Sequence, residues 1–352
     1  MAVSFDIMTF NVCNANPNRI AEAGASLEKY GWEERSARIF EAIKNANPTF
    51  LCCQELRDQD GKDGKRECME EQFFQNLAPN GYDFVFCANN GDRCSFKLAI
   101  AHKGDLYYCT NKYQWWNNPE DPEKFGDPAG NGFGRVTLMA KYYPTIKVNG
   151  VRQPDYLAIP IYIVNAHLGL KHAERMQHHK ILIDQVHKII RLEKAILAVM
   201  GDFNCFPDDG GPEELDLYEQ AGFTNVKHLK TTTGLPIDGS FIGYPEYDKF
   251  VPEKGKIGSH LDRMMIKTMN CAANIEYEAV IDLKKYNGAD PSHPQSVEEY
   301  LVDRDGNDLR GNFPSDHAPM HVHTIIHLFN NAICEQEPDS LSERESTCLS
   351  KL

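Results

Sequence analysis

Val199-Met200-Gly201-Asp202-Phe203-Asn204 is the stretch around which this chain reads as an α/β protein. The run from Ala195 to Met200 is apolar and short, follows a long helical pattern and is stopped by a glycine, which predicts a buried strand ending at a turn. Asp202 and Asn204 are one residue apart, so in an extended segment they project to one side of the strand's carboxyl end. The aspartate can take a proton from water or hold a metal, and the asparagine offers a donor and an acceptor. Alone, Gly-Asp-Phe-Asn would make only a turn. Its reading depends on what the rest of the chain supplies.

Immediately upstream, residues 175–192 place Met176, Leu182, Ile183, Val186, Ile189 and Ile190 on one side of an amphipathic helix. His178, His179 and His187 lie on or beside this helix without a carboxylate at ligand spacing, and read as surface residues. Residues 212–222 predict a short helix after the central strand. Towards the amino terminus, residues 4–10 alternate as a half-buried strand that runs into Asn11, residues 32–46 form a helix, and residues 49–53 form a buried strand that delivers Gln54-Glu55. A helix over 67–77 and strands over 82–87, 98–102, 136–142 and 158–164 follow, the last running into Asn165-Ala166-His167-Leu168. Strands over 261–266 and 317–326 close the pattern. Residues 107–135 carry Tyr107, Tyr108, Tyr113, Trp115, Trp116, Phe125 and Phe133 among prolines, asparagines and glycines. They read as a long loop, either folded back as a satellite cluster or gripping a base, sugar or lipid headgroup.

The 352 residues suffice for one large α/β domain, expected over 1–330, with a flexible polar tail over 331–352. Thirty-seven basic and fifty-one acidic residues give a formal net charge of −14, which works against non-specific adhesion to nucleic acid or anionic membrane. The eleven cysteines are scattered without metal-type spacing, as expected of reduced thiols in an intracellular protein. No basic, apolar leader follows Met1, and the longest apolar runs are too short to cross a bilayer, so a soluble, cytoplasmic protein is expected. The final Ser350-Lys351-Leu352 spells the peroxisomal import tripeptide, which makes an import receptor a candidate partner.

Polar residues recur beside the strand-like runs: Asn11, Glu55, His167, Asp202, Asn204, Asp262, Asp316 and His317. In a layered α/β fold, strand ends are where distant residues converge. Phe10-Asn11-Val12, Gln54-Glu55-Leu56, Asn165-Ala166-His167-Leu168, Gly201-Asp202-Phe203-Asn204, Leu261-Asp262-Arg263 and Ser315-Asp316-His317-Ala318-Pro319 resemble, in order, the motifs of the endonuclease/exonuclease/phosphatase superfamily. The resemblance covers about residues 5–323. It implies a four-layer αββα sandwich, two mainly antiparallel sheets flanked by helices, and a Mg²⁺-dependent phosphoesterase site, with Mn²⁺ as the alternative ion.

The same resemblance assigns roles. Glu55 is the principal metal ligand, with Asp316 and Asn11 beside it. Asp202 aligns and deprotonates the attacking water, Asn204 fixes that water or the phosphate, and His167 and His317 donate to phosphate oxygens together with Asn11. Asp262 pairs with His317. Cys13 stands where some nuclease members carry an aspartate, against a second metal. Asp262-Arg263 resembles the inositol-polyphosphate 5-phosphatases, but His260-Leu261 and Cys205-Phe206 depart from them. Gly239-Ser240-Phe241-Ile242-Gly243-Tyr244 resembles a segment of less characterised hydrolases. The charge favours a small phosphorylated compound or headgroup. Other readings are a nuclease or 3′-exonuclease on single strands with Arg135 or Lys141 near the phosphate, a sphingomyelinase-like enzyme with Trp115-Trp116 as a lipid wedge, and an inactive scaffold.

Overall fold

The computed structural model describes residues 2–13, 31–56, 59–60, 66–67, 69–87, 97–124, 134–244, 258–283, 301, 310, 313 and 315–329. The expected tail and its final tripeptide, and Phe125 and Phe133, lie outside these residues. No described helix is long and apolar enough to cross a membrane.

Besides a short pair, Gln59–Asp60 with Arg66–Glu67, the strands in chain order are β1 (Ala2–Asn11), β2 (Phe50–Leu56), β3 (Tyr82–Phe86), β4 (Lys97–Lys103), β5 (Tyr107–Trp116), β6 (Val136–Val148), β7 (Val151–Pro154), β8 (Ile161–His167), β9 (Ala195–Asp202), β10 (Thr224–Asn225), β11 (Leu229–Thr231), β12 (Pro236–Ile237), β13 (Asp262–Met269), β14 (Ala273–Ile281) and β15 (Met320–Leu328). The helices are α1 (Trp32–Ala46), α2 (Met69–Leu77), α3 (His172–Ile190) and α4 (Gly211–Gln220). One sheet runs β12-β11-β14-β15-β1-β2-β4-β3, and the other runs β10-β13-β9-β8-β6-β5 with β7 paired to β6.

Alternate residues of each central strand enter different cores, which explains why those strands are apolar without a break. In β9, Ile196, Ala198 and Met200 meet Ile7, Phe50, Cys52 and Ile100 of the other sheet. Leu197 and Val199 turn outward against Leu182, Val186 and Ile190 of α3 and Tyr218 of α4. On the far side, Met8, Phe10 and Leu51 pack under Ile39, Phe40 and Ile43 of α1 and Phe73 of α2. Helix, sheet, sheet, helix is the four-layer order that the motifs implied, with mixed sheets.

Strand direction gathers the polar ends. β1 and β2 are parallel, as are β8 and β9, so Asn11, Glu55, His167 and Asp202 all arrive at carboxyl ends. The antiparallel neighbours begin there instead: Asp262 pairs with Asp202, and Met320 pairs with Thr9. Gly201 lets β8 and β9 close together at this edge. Its φ is 141°, and a Cβ would lie 1.8 Å from the Ala166 carbonyl oxygen. Between the sheets Gln54 Nε2 donates to Asn165 Oδ1 at 2.8 Å, and Asn165 Nδ2 donates to the Cys53 and Ala99 carbonyls at 2.9 Å. This buried bridge locks the sheets in register behind the site.

Three expectations need correction. Residues 107–116 form strand β5, paired along β6 with a bulge between Cys109 and Asn111, because Tyr, Thr and Trp fit a pleated surface better than a loop. Trp115 and Trp116 are buried, one under α3 and one between the sheets, so neither is a lipid wedge in this structure. His178 and His179 are buried rather than superficial: His178 Nδ1 accepts from the Gly169 N–H, and α4 covers His179.

Candidate active site

The turn after β1 is the first support. Asn11 is buried, and its Nδ2 donates to Asp202 Oδ2 at 2.9 Å and to Glu55 Oε1 at 3.2 Å. Its Oδ1 faces away and accepts from the Cys13 backbone N–H at 2.9 Å. Asn11 therefore gathers two carboxylates from opposite sheets by donating to both. Cys13 (φ 54°), Glu55 (φ 64°) and Asn204 (φ 52°) all have left-handed backbone, a strain that three non-glycine residues accept at one end of the sandwich. Arg35 of α1 is fully buried and holds this turn by donating to the Val12 and Cys13 carbonyls at 2.8 and 2.7 Å. Ser315 Oγ donates to the Asn11 carbonyl at 2.6 Å and ties in the last loop.

His167 Nε2 lies 3.5 Å from Asp202 Oδ2 and 3.9 Å from Glu55 Oε1. Glu55, His167 and Asp202 thus converge, their donor atoms all within 4.8 Å of one another. Two carboxylate oxygens drawn together by a neutral amide suit a hard divalent cation. Asp316 stands outside that close group. Its Oδ1 lies 3.1 Å from Ser315 Oγ, and its carbonyl accepts from the Ile242 and Gly243 N–H groups.

His317 occupies the loop before β15. Its Nδ1 donates to Asp262 Oδ2 at 2.8 Å, and its Nε2 lies 3.9 Å from Asp202 Oδ2. The Phe241 ring packs on its edge with centroids 5.2 Å apart, while Ser240 Oγ accepts from the Asp262 N–H at 3.1 Å. The glycine-flanked segment 239–244 therefore braces the histidine and its partner. Asn204 turns its own N–H onto Asp202 Oδ1 at 3.0 Å and its Nδ2 onto the Leu168 carbonyl at 3.1 Å, fixing the central carboxylate from beneath.

Burial sets the protonation states. It pushes Asp202 up to about 6, with Asp262 adding to the rise and His317, Asn11 and the Asn204 N–H opposing it. Burial alone would pull His317 down, but Asp262 and Asp202 outweigh it and hold the ring well above the usual histidine range. His167 goes the other way: burial, then Arg135 and His317, keep it neutral. The site thus pairs a carboxylate poised near neutrality with a charged imidazolium, which are the states that a general base and a phosphate donor need.

Arg35, Ser240, Phe241, Ser315 and the Gln54–Asn165 bridge support the site without having been foreseen. Gln54 and Asn165 stood inside the quoted motifs, whereas Arg35 gave no signal beyond a cation on an otherwise amphipathic helix. Arg135 is close enough to His167 to bias its charge. Lys141 is not near the site: it pairs with Tyr162 at the far end of β8, roughly 17 Å away along the strand, and its Nζ meets Glu193 Oε1 at 2.6 Å.

A family model described as "Endonuclease/Exonuclease/phosphatase family" matches residues 8–317. No curated protein matches the sequence. Among solved structures, the chain is similar to an endonuclease/exonuclease/phosphatase family protein from Bacteroides thetaiotaomicron, with 16% identity and a TM-score of 0.61 over 92% of this chain and 98% of that one. It is similar also to the mannosyl-6-phosphatase Bt3783 of Bacteroides thetaiotaomicron VPI-5482, with 14% identity and a TM-score of 0.59 over 91% and 99% of the two chains. A third is ANGEL2, a 2′,3′-cyclic phosphatase, in complex with adenosine-2′,3′-vanadate, with 14% identity and a TM-score of 0.60 over 92% and 96%. At such identities the likeness establishes the fold.

Proposed function

The chain belongs to the endonuclease/exonuclease/phosphatase family, whose members are phosphoric ester hydrolases, and from that premise we propose that it hydrolyses the phosphoester of a small soluble compound or headgroup with a divalent cation. The observation that carries this reading is the convergence of Asn11, Glu55, His167, Asp202, Asp262 and His317 from both sheets onto one edge. Asp202, held by Asn11 and the Asn204 N–H, orients the attacking water and takes its proton. His317, kept charged and oriented by Asp262, donates from Nε2 to a phosphate oxygen as charge accumulates there. His167, held neutral by burial with Nε2 facing the carboxylates, orders the same region. Glu55 would hold Mg²⁺ or Mn²⁺, with Asp316 nearby and Asn11 orienting it, and the bound ion would neutralise phosphoryl charge and ease departure of the leaving oxygen.

The net charge of −14 supports a compact substrate over a long nucleic acid. The test is release of phosphate or alcohol from a panel of sugar phosphates, cyclic nucleotides, nucleotide cofactors, inositol phosphates, sphingomyelin and single-stranded RNA and DNA, with Mg²⁺ and with EDTA. Turnover of one small class that disappears with EDTA and in Asp202→Asn supports the reading. Turnover that survives both, or that is confined to RNA or DNA, overturns it. We propose further that Ser350-Lys351-Leu352 directs the protein to peroxisomes where the organelle exists. A tagged protein lacking these residues should become diffuse, and an unchanged location would end that idea.

A further inference from the structure

A second group of metal-type donors lies away from the phosphoester site, on the outer face of the second sheet. His179 of α3, Cys205 of the turn after β9 and Glu214 of α4 are all buried, and their donor atoms converge. Cys205 Sγ lies 3.0 Å from Glu214 Oε2 and 3.6 Å from His179 Nε2, and those two atoms are 3.4 Å apart. Metal–ligand distances of about 2.0–2.3 Å put the donors of a tetrahedral zinc site about 3.3–3.6 Å from one another, so little movement is needed to enclose an ion.

The surroundings are those of a supported ligand set. Tyr218 Oη is 3.0 Å from His179 Nδ1 and can accept its hydrogen, which turns the Nε2 lone pair towards Cys205 and Glu214. Glu214 Oε1 is held by His172 Nδ1 at 2.7 Å, while Arg175 Nε spans both oxygens at 3.0 and 2.9 Å and can remain on Oε1 when Oε2 ligates. As a purely hydrogen-bonded network the arrangement gains little from sulfur, since a hydroxyl would donate to Glu214 better than a thiol does. Sulfur beside imidazole nitrogen is instead what a softer divalent ion selects, and what Mg²⁺ does not. The half-exposed His172 and the exposed Asp209 form the solvent edge of the cluster.

We propose that His179, Cys205 and Glu214 form a structural site for Zn²⁺ or a similar soft divalent cation, with water as the fourth ligand. As the sulfur–metal bond forms, the Cys205 S–H proton leaves to solvent and the Cys205–Glu214 hydrogen bond breaks. No group is oxidised or reduced. The ion pins α3 and α4 to the turn that carries Asp202 and Asn204.

Full-length protein stripped by chelator and titrated with Co²⁺ tests this, because only a thiolate ligand gives a sulfur-to-cobalt charge-transfer band. Wild type and Glu55→Gln should both show the band, saturating near one equivalent and displaced by Zn²⁺ but not by excess Mg²⁺. Cys205→Ser should lack it, and His179→Gln should weaken Zn²⁺ retention about tenfold or more in competition with a chromogenic chelator. Absence of the band in wild type, its persistence in Cys205→Ser, or unchanged retention in His179→Gln would overturn the proposal. If Cys205→Ser does not fold, wild type and His179→Gln still decide.

Discussion

Asp202 meets the strictest demand of any side chain in the site, since it must be ionised while buried and still basic enough to take a proton. Burial lifts it to about 6, so protonation below that value removes the base. Activity should therefore rise with pH through about 6 and level off above it. His317 has to stay charged, and its elevated value puts the loss of that charge on the alkaline side. Asp262→Asn removes the partner at 2.8 Å, so the alkaline limb should move to lower pH, and the acid limb should move a little the same way because the Asp262 charge also raises Asp202. Asp202→Asn should lower kcat by about 10²–10⁴ while leaving the fold intact. A kcat profile of the three proteins checks all of this, and an acid limb that persists unchanged in Asp202→Asn would assign it to another group. The chemistry of these residues was legible in sequence because each motif names an ionisable group beside an apolar run. Their protonation states were not, since burial and the Asp262–His317 contact exist only once both sheets are assembled.

At the scale of elements, α3 and α4 show why patterning fell short. The helical period of α3 was visible, but His179 looked superficial because its cover comes from α4, some forty residues later. Nothing local announces that Arg175, fully buried, is neutralised by Glu214 and Asp209. Strand β14 differs: Ala273–Ile281 alternates apolar and polar residues in the sequence itself, and exposure alternates with it where it pairs with β15. Glu214 lies well below its usual value, near 2, because burial, which would raise it, is outweighed by its contacts with His179, Arg175, Cys205 and His172. A depressed carboxylate contributes stability that is whole above its unfolded value near 4.5 and fades as pH falls towards 2. Glu214→Gln should destabilise the protein by about 3–5 kcal/mol at neutral pH, because it leaves a buried guanidinium poorly compensated. Urea unfolding of the variant and of wild type should show this gap at pH 7 and a narrower one near pH 3. A gap of similar size at both values would place the contribution in packing instead of charge.

For the molecule as a whole, the order of six short motifs carried the resemblance that implied the layers, while the parallel pairs β1–β2 and β8–β9 that bring those motifs to one edge are visible only in the structure. What they bind is a matter of the long-range field. A protein with formal charge −14 repels polyanions that come within about a Debye length of its surface, about 8–10 Å in ordinary buffers, and attracts them only where cations are concentrated. Near the site Arg135 lies by His167, Arg35 is turned inward onto backbone carbonyls, and Lys141 lies at the opposite end of its sheet. Binding of a single strand through Z phosphates would weaken with salt along a log–log slope of about −0.7Z. A small phosphate ester recognised at the catalytic edge releases few counterions and approaches against a repulsive field, so kcat/KM should stay flat or rise between about 50 and 200 mM salt at fixed free Mg²⁺. A steep fall over that range would mean that a cationic track for a polymer exists, and would move the substrate to single-stranded nucleic acid.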